Sequence, residues 1–140
     1  TLPENAEIFK DQQLPQYSSD PLLRPDLVVV DHSKKRAIII DVACPFESSS
    51  DAFRKARDSK RTKYDGIKTN LESKGYTVVL DALIVGSLGA WDPLNAAVLS
   101  ALNILGKKRA AVARKCVQTA IRGSYLIWKK RCLAESGVLS

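Results

Sequence analysis

The stretch RPDLVVVDHSKKRAIIIDVA, residues 24–43, decides how the rest of the chain is read. Two apolar runs rich in β-branched residues, Leu27-Val28-Val29-Val30 and Ala37-Ile38-Ile39-Ile40, flank a polar segment from Asp31 to Arg36. β-Branched side chains suit a pleated surface and the polar segment carries turn chemistry, so the pattern predicts an antiparallel hairpin. Pro45 has no N–H to offer a ladder and ends the second strand. A two-residue turn at Ser33-Lys34 and a four-residue loop from His32 to Lys35 give one and the same register, in which paired residue numbers sum to 67. That register sets Asp26 opposite Asp41. Directly opposed residues share a face, with Cβ atoms about 4.5–5.5 Å apart. A slip of one residue would send the two carboxylates to opposite faces. Like charges so placed destabilise a sheet unless something neutralises them. A hard divalent cation does so, and Mg²⁺ binds through one or two carboxylates plus water and phosphate oxygen; solvation of both aspartates at the strand ends is the other reading.

Downstream of the hairpin, Ser48–Ser50 and Asp51 offer N-caps for a helix that is expected to run to about Ser73 and stop at Gly75. On a helical wheel Phe53, Ala56, Tyr64, Ile67 and Leu71 form one apolar stripe. Lys60 falls near the middle of that stripe and Lys63 at its edge. Lysine is almost never fully buried without a partner, because desolvating an ammonium costs several kcal/mol. Snorkelling to the surface is one reading of both lysines. The other is that they point into a cleft shared with Asp26 and Asp41. Two carboxylates, a metal and an ammonium suffice to hydrolyse a phosphodiester: the metal activates water and the ammonium orients it and offsets charge building on phosphorus.

The remaining chain supplies the frame. Thr77 to Val85 is a nearly continuous apolar run, expected as a central strand buried on both faces. Asp92 and Pro93 are expected as N-cap and first residue of a helix carrying Leu94, Ala97, Val98, Ala101, Leu102 and Leu105 and stopping at Gly106. A last basic helix is expected from about Ala110 to Lys130, with an interruption at Gly123. Residues 1–23 are polar and broken by Pro3, Pro15 and Pro21, leaving room for an edge strand or a short helix.

Composition narrows the chemistry. At 140 residues the chain has the size of one domain, and its net charge of +7 points to a polyanionic partner. Between Asp92 and Glu135 there is no acidic residue, while Lys107, Lys108, Arg109, Arg114, Lys115, Arg122, Lys129, Lys130 and Arg131 all fall there. A solvated helix surface is one reading; a DNA-phosphate-contacting face fits better, because counterion release rewards cations that face one way. No apolar run is long enough to span a bilayer, and no membrane partner is expected. His32 is the only histidine, which argues against Ser-His or Cys-His catalysis; its neighbours Asp31 and Ser33 make it a turn residue. Cys44, Cys116 and Cys132 show no metal-ligand spacing and read as free thiols of a reducing compartment, most of them core residues.

Arg24-Pro25-Asp26, Asp41-Val42-Ala43, Lys60-Arg61-Thr62-Lys63-Tyr64 and Gly86-Ser87-Leu88-Gly89-Ala90-Trp91-Asp92-Pro93, in this order, resemble the restriction-like endonuclease domain of site-specific non-LTR retrotransposons. The resemblance covers roughly residues 20–130. It implies an α/β fold of the PD-(D/E)xK restriction-endonuclease type, a mixed sheet flanked by helices. Under it residues 1–140 form a single endonuclease domain, with a core at about 20–105 and a basic C-terminal helix at about 107–131, cut from a longer polyprotein. It also implies Mg²⁺-dependent nicking of target DNA for integration, with Mn²⁺ as a substitute metal, in the nucleus and beside the reverse-transcriptase portion of the same polyprotein. Self-association of two copies is a further implied partnership. Asp26 and Asp41 then inherit the metal. In the wider superfamily the catalytic lysine follows the second acid by two residues, where this chain has Ala43, so Lys60 or Lys63 takes the role from the following helix. Arg24 and Tyr64 become supporting residues, and Glu4 or Glu7 a further acid. A basic DNA-binding module with weak or lost cleavage is the alternative, and an RNA-binding accessory domain a third reading that lacks the expected aromatic surface.

Overall fold

The hairpin forms with the register set by its turn. In the computed structural model, strand β2 (Leu27–Asp31) pairs antiparallel with β3 (Arg36–Ala43), matching Asp31 to Arg36 and Leu27 to Ile40. The structure describes residues 6–46, 51–104 and 106–135, with residue 120 and the helix beyond residue 122 as backbone only. The four-residue loop from His32 to Lys35 is the turn used. Asp31 Oδ1 accepts from the backbone N–H groups of Ser33 and Lys34, both at 3.1 Å, and from the Ser33 hydroxyl at 2.7 Å. Those three bonds hold the Asp31 carboxyl below the usual carboxylate range, the Ser33 hydroxyl first among them.

Strand β1 (Ala6–Lys10) pairs antiparallel with β2, and strand β4 (Thr77–Ile84) pairs parallel with β3. The order is β1-β2-β3-β4, so the sheet is mixed. A parallel pair needs a long crossover. Here it is supplied by α1 (Ala52–Lys63) and α2 (Asp65–Ser73). Helices α3 (Asn95–Ala101) and α4 (Lys107–Glu135) follow β4. The fold is therefore mixed α/β, a four-stranded sheet with four helices among the described residues.

Alternation along the hairpin builds the core. Val28, Val30, Ala37 and Ile39 point to one face, where Tyr64, Ile67 and Leu71 of the crossover meet them together with Leu14 and Tyr17. Asp41 lies on that same face, two residues beyond Ile39 and buried.

Several expected boundaries move. The single helix to Ser73 is two helices, because the chain leaves helical geometry at Tyr64, whose φ is −103° and ψ 8°. The bend falls at Tyr64, the largest fully buried side chain of the crossover, with Lys60 one turn earlier and Lys63 immediately before it. Gly75 ends α2 with φ +89°, as its lack of a Cβ permits. The N-caps expected at Ser48–Ser50 lie outside the described residues. Asp92 does not cap α3 from the expected position: it accepts from Leu94 N–H at 3.0 Å in a turn before the helix. Helix α3 ends at Ala101, and Asn103 and Gly106, both at φ +59°, carry the chain away. The last helix begins at Lys107 and its backbone continues through Gly123 without interruption. Among the described residues no helix is long and apolar enough to cross a membrane.

Strand β4 is an edge strand of this sheet and not the central strand that its apolar run suggested. Its N–H groups at Thr77 and Val85 flank the ladder by bonding to Lys35 and Ala43 carbonyls, so the even-numbered residues present their backbone outward. Side chains cover that edge where it is buried. Arg57 donates to the Ala82 carbonyl at 2.5 Å, and the Asp81 carboxylate accepts from Ala82 N–H at 2.8 Å. The Asn95 amide accepts from Ile84 N–H at 2.9 Å and donates to the Ile84 carbonyl at 2.7 Å. An apolar run fitted to two-sided burial is thus reached by capping an edge with polar side chains.

Candidate active site at the open end of the hairpin

The regular ladder stops at Leu27–Ile40, one pair short of the aspartates. Their pairing continues through side chains. Asp26 N–H donates to Asp41 Oδ1 at 2.9 Å, and Val42 N–H donates to Asp26 Oδ2 at 2.7 Å. Each carboxylate therefore satisfies a backbone donor of the other strand, which fixes both at one end of the sheet. Pro25, fully buried, closes the segment that enters β2.

Lys60 completes the cluster from α1. Its Nζ lies 2.6 Å from Asp41 Oδ2, with the lysine side chain 25% exposed and that of Asp41 6%. One helical turn on, Tyr64 is almost wholly buried and its hydroxyl donates to Asp41. Burial first, and the Asp41 charge and hydrogen bond with it, push the Tyr64 phenol far above its ordinary value, so it stays a neutral donor.

The two acids are held apart in proton affinity. Partial desolvation, then the hydrogen bond and charge of Asp41, raise Asp26 at the exposed rim. Burial also acts to raise Asp41, but the hydrogen bonds linking it to Asp26 and Lys60 outweigh burial and leave it lowered. This is the behaviour of two close carboxylates with one compensating cation, where the second negative charge lacks a partner. Two carboxylates are the donor type that a hard divalent cation takes, and Asp26 at the exposed rim is the more open of the two, since both Asp41 oxygens already meet protein donors. Among the described residues no group of three or more His, Cys, Asp or Glu side chains gathers in metal-binding fashion, so any such ion would rest on this pair.

The structure separates the two candidate lysines. Lys63 is exposed, with its Nζ 5.3 Å from the centre of the Tyr64 ring, and it does not join the carboxylates. Arg24 is also turned outward: it donates to the Asp11 carbonyl at 3.0 Å and its Nε lies 4.0 Å from the Asp11 carboxylate. Glu7 is at the far end of the sheet, opposite Val30, and its carboxylate meets His32 Nε2 at 2.8 Å. It cannot serve as the further acid, because antiparallel pairing carries β1 away from the site in that direction. The acid that β1 does bring to this end is Asp11, whose N–H donates to the Asp26 carbonyl at 3.1 Å. Glu4 lies outside the described residues. His32 sits in the turn as expected, its Nδ1 2.7 Å from the Tyr76 hydroxyl. Cys44 is exposed and Cys116 half-buried, so neither is a core thiol, and the side chain of Cys132 lies outside the description.

A second charged cluster was missed in the sequence. Arg57 is buried and donates to Asp81 at 2.7 Å, to Asp92 at 2.8 Å and to Asn95 at 3.0 Å. The signal was present: Arg57 falls on the same apolar stripe as Tyr64, and Asp81 is the one acid in the apolar run of β4. The test applied to Lys60 would have found them both.

Of the basic C-terminal residues, Lys107, Lys108, Arg114, Lys115 and Arg122 are exposed. Arg109 is not available in the same way: its Nε donates to the Ile104 carbonyl at 2.9 Å and its guanidinium also reaches the Ser100 hydroxyl. It is occupied in tying α4 to the end of α3. The side chains of Lys129, Lys130 and Arg131 lie outside the description.

Replacing Tyr64 with Phe is expected to destabilise the domain by about 1.5–3 kcal/mol, the usual worth of a hydrogen bond to a charged group. Urea denaturation of the native and Tyr64→Phe chains measures it, and equal midpoints would mean the hydroxyl contributes nothing.

No family model matches the chain, and no curated protein matches it.

Proposed function

We propose that this domain is a Mg²⁺-dependent DNA endonuclease in which Asp26 and Asp41 hold the metal and Lys60 is the catalytic ammonium. One observation carries the reading: an opposed pair of aspartates, bonded across the hairpin, receives a lysine from the neighbouring helix at 2.6 Å. A bound Mg²⁺ would lower the pKa of water and offset charge on the phosphate.

The chain's own groups do the rest. Asp41, depressed in proton affinity, stays ionised at neutral pH and anchors the Lys60 ammonium. Lys60, in turn, reaches the rim where a phosphate would lie and offers its remaining N–H donors to the oxygens that gain charge in the transition state. Tyr64 fixes the Asp41 carboxylate from below without itself ionising. Asp26, at the exposed rim, is the carboxylate within reach of solvent and substrate.

The finer reading rests on the motif resemblance: a PD-(D/E)xK nuclease of a non-LTR retrotransposon, nicking nuclear DNA beside its reverse transcriptase. The hairpin acids, the mixed sheet and the helix-borne lysine support it. Plasmid nicking in Mg²⁺ is expected for the native chain and absent for Asp26→Asn and Asp41→Asn, with duplex binding retained. Equal nicking by all three would remove the site assignment. Tight binding with no cleavage by the native chain would favour the DNA-binding alternative.

A further inference from the structure

Between Lys107 and Arg122, helix α4 carries its exposed charge on one side. At about 3.6 residues per turn, Lys107, Lys108, Arg114, Lys115 and Arg122 fall within an arc of about 120°, with Ala111 and Gln118 between them. All seven are exposed, and among the described residues none of the five cations is ion-paired. The opposite side holds Val112, Ala113, Cys116 and Val117, all half-buried, together with the occupied Arg109. From Lys107 to Arg122 the stripe runs about 22 Å, the axial length of about six phosphates along one DNA strand.

The helix is also anchored near the candidate site. A Cβ on Gly89 would lie 2.7 Å from Ile121 and 3.3 Å from Val117, at a backbone φ of +100° that favours glycine. The loop holding Gly89 follows β4, and its Ser87 N–H donates to the Pro45 carbonyl, four residues beyond Asp41. The stripe therefore sits on a helix fastened to the end of the sheet where Asp41 lies.

We infer that this five-cation face is the docking surface for the phosphate backbone of double-stranded DNA, and that Arg109 is not part of it. The choice of DNA as the polyanion rests on the nuclease reading; the choice of a duplex rests on the stripe. No aromatic residue falls between Lys107 and Arg122, so this length of the helix offers unstacked bases nothing to stack on. Its apolar side is half-buried, with Val117 and Ile121 set against Gly89, so little of it is left to enter a lipid interface.

The test is binding of a labelled 20-bp DNA duplex to the full chain in EDTA, across a range of salt. EDTA removes cleavage from the readout, so an inactive nuclease and a wrong docking face give different results. Two variants of equal charge are compared: Lys107→Gln, Arg114→Gln, Arg122→Gln on the stripe, and Lys34→Gln, Lys55→Gln, Lys68→Gln away from it. The slope of log affinity against log salt should fall by about 0.9 per lost phosphate contact, roughly 2–3 for the stripe variant. It should change by less than about 1 for the other triple and for Arg109→Gln, with folding of each verified by circular dichroism. Equal losses for the two triples would reduce the effect to net charge and overturn the assignment. Tighter stripe-dependent binding to single-stranded DNA, to an RNA duplex or to phosphatidylserine vesicles than to duplex DNA would overturn it as well.

Discussion

Lys60→Ala is expected to lower Mg²⁺-dependent nicking by about 10²–10³-fold, while Lys63→Ala stays within about threefold of native. The difference follows from one helical position. Lys60 projects from the core-facing side of α1 and ends 2.6 Å from Asp41, whereas Lys63 is exposed, with its Nζ 5.3 Å from the centre of the Tyr64 ring. A donor fixed where charge develops contributes its full electrostatic effect without reorganising, and an exposed one is screened by water. Loss of Lys60 also leaves Asp41 with one compensating partner fewer, so a fall in stability accompanies the fall in rate. Lys60→Arg separates the two: it keeps the positive charge but not the ammonium geometry, and is expected to recover more stability than rate. Equal nicking by the native chain and Lys60→Ala would strip the ammonium of its role, and a large loss with Lys63→Ala would move it to the neighbouring position.

The second large effect is structural. Arg57→Met is expected to destabilise the domain by about 3–5 kcal/mol, because it leaves the Asp92 carboxylate buried without its cation and Asp81 with only the half-exposed Arg61 guanidinium at 3.2 Å. A domain of this kind has about 5–15 kcal/mol in total, so the variant would be close to unfolding at moderate temperature. Arg57 spans three elements: it sits on α1, meets Asp81 and the Ala82 carbonyl of β4, and reaches Asp92 and Asn95 at the entrance to α3. Only a guanidinium presents enough donors in a plane to serve these acceptors together, so Arg57→Lys is expected to recover only part of the loss. The combined Arg57→Met, Asp81→Asn, Asp92→Asn chain should be more stable than Arg57→Met alone, since no buried carboxylate is left unpaired and Arg61 is half-exposed. Urea unfolding of the four proteins gives the comparison. A loss below about 1 kcal/mol for Arg57→Met would mean that the network contributes little to stability.

What could be read from the sequence and what could not divides along a physical line. The hairpin register was legible because two β-branched runs bracket a turn whose two candidate lengths give the same pairing, and side chains alternate with a period of two. From that alone Asp26 and Asp41 come to one face. Lys60 was legible as a charge on an apolar helical stripe, but the same wheel could not separate it from Lys63. That choice depends on how α1 lies over β3, which is a tertiary fact. Glu7 was misplaced for a similar reason: strand β1 was only loosely defined, and its antiparallel direction sends Glu7 to His32 and Asp11 toward Asp26. The edge position of β4 was hidden because burial of an apolar strand looks alike in sequence whether a neighbouring strand or a polar network covers it. On the basic helix, charge was visible and availability was not. Arg109 is committed to Ser100 and Ile104 by contacts that no spacing rule reveals.

The most direct test is a crystal of the domain soaked in Mn²⁺ and measured at the manganese absorption edge. The account predicts one strong anomalous peak at the open end of the hairpin, within coordinating reach of both Asp26 and Asp41 and absent from Asp41→Asn crystals. A metal bound elsewhere in an actively nicking protein, or an Asp26–Asp41 pair that stays metal-free at saturating Mn²⁺, would contradict it.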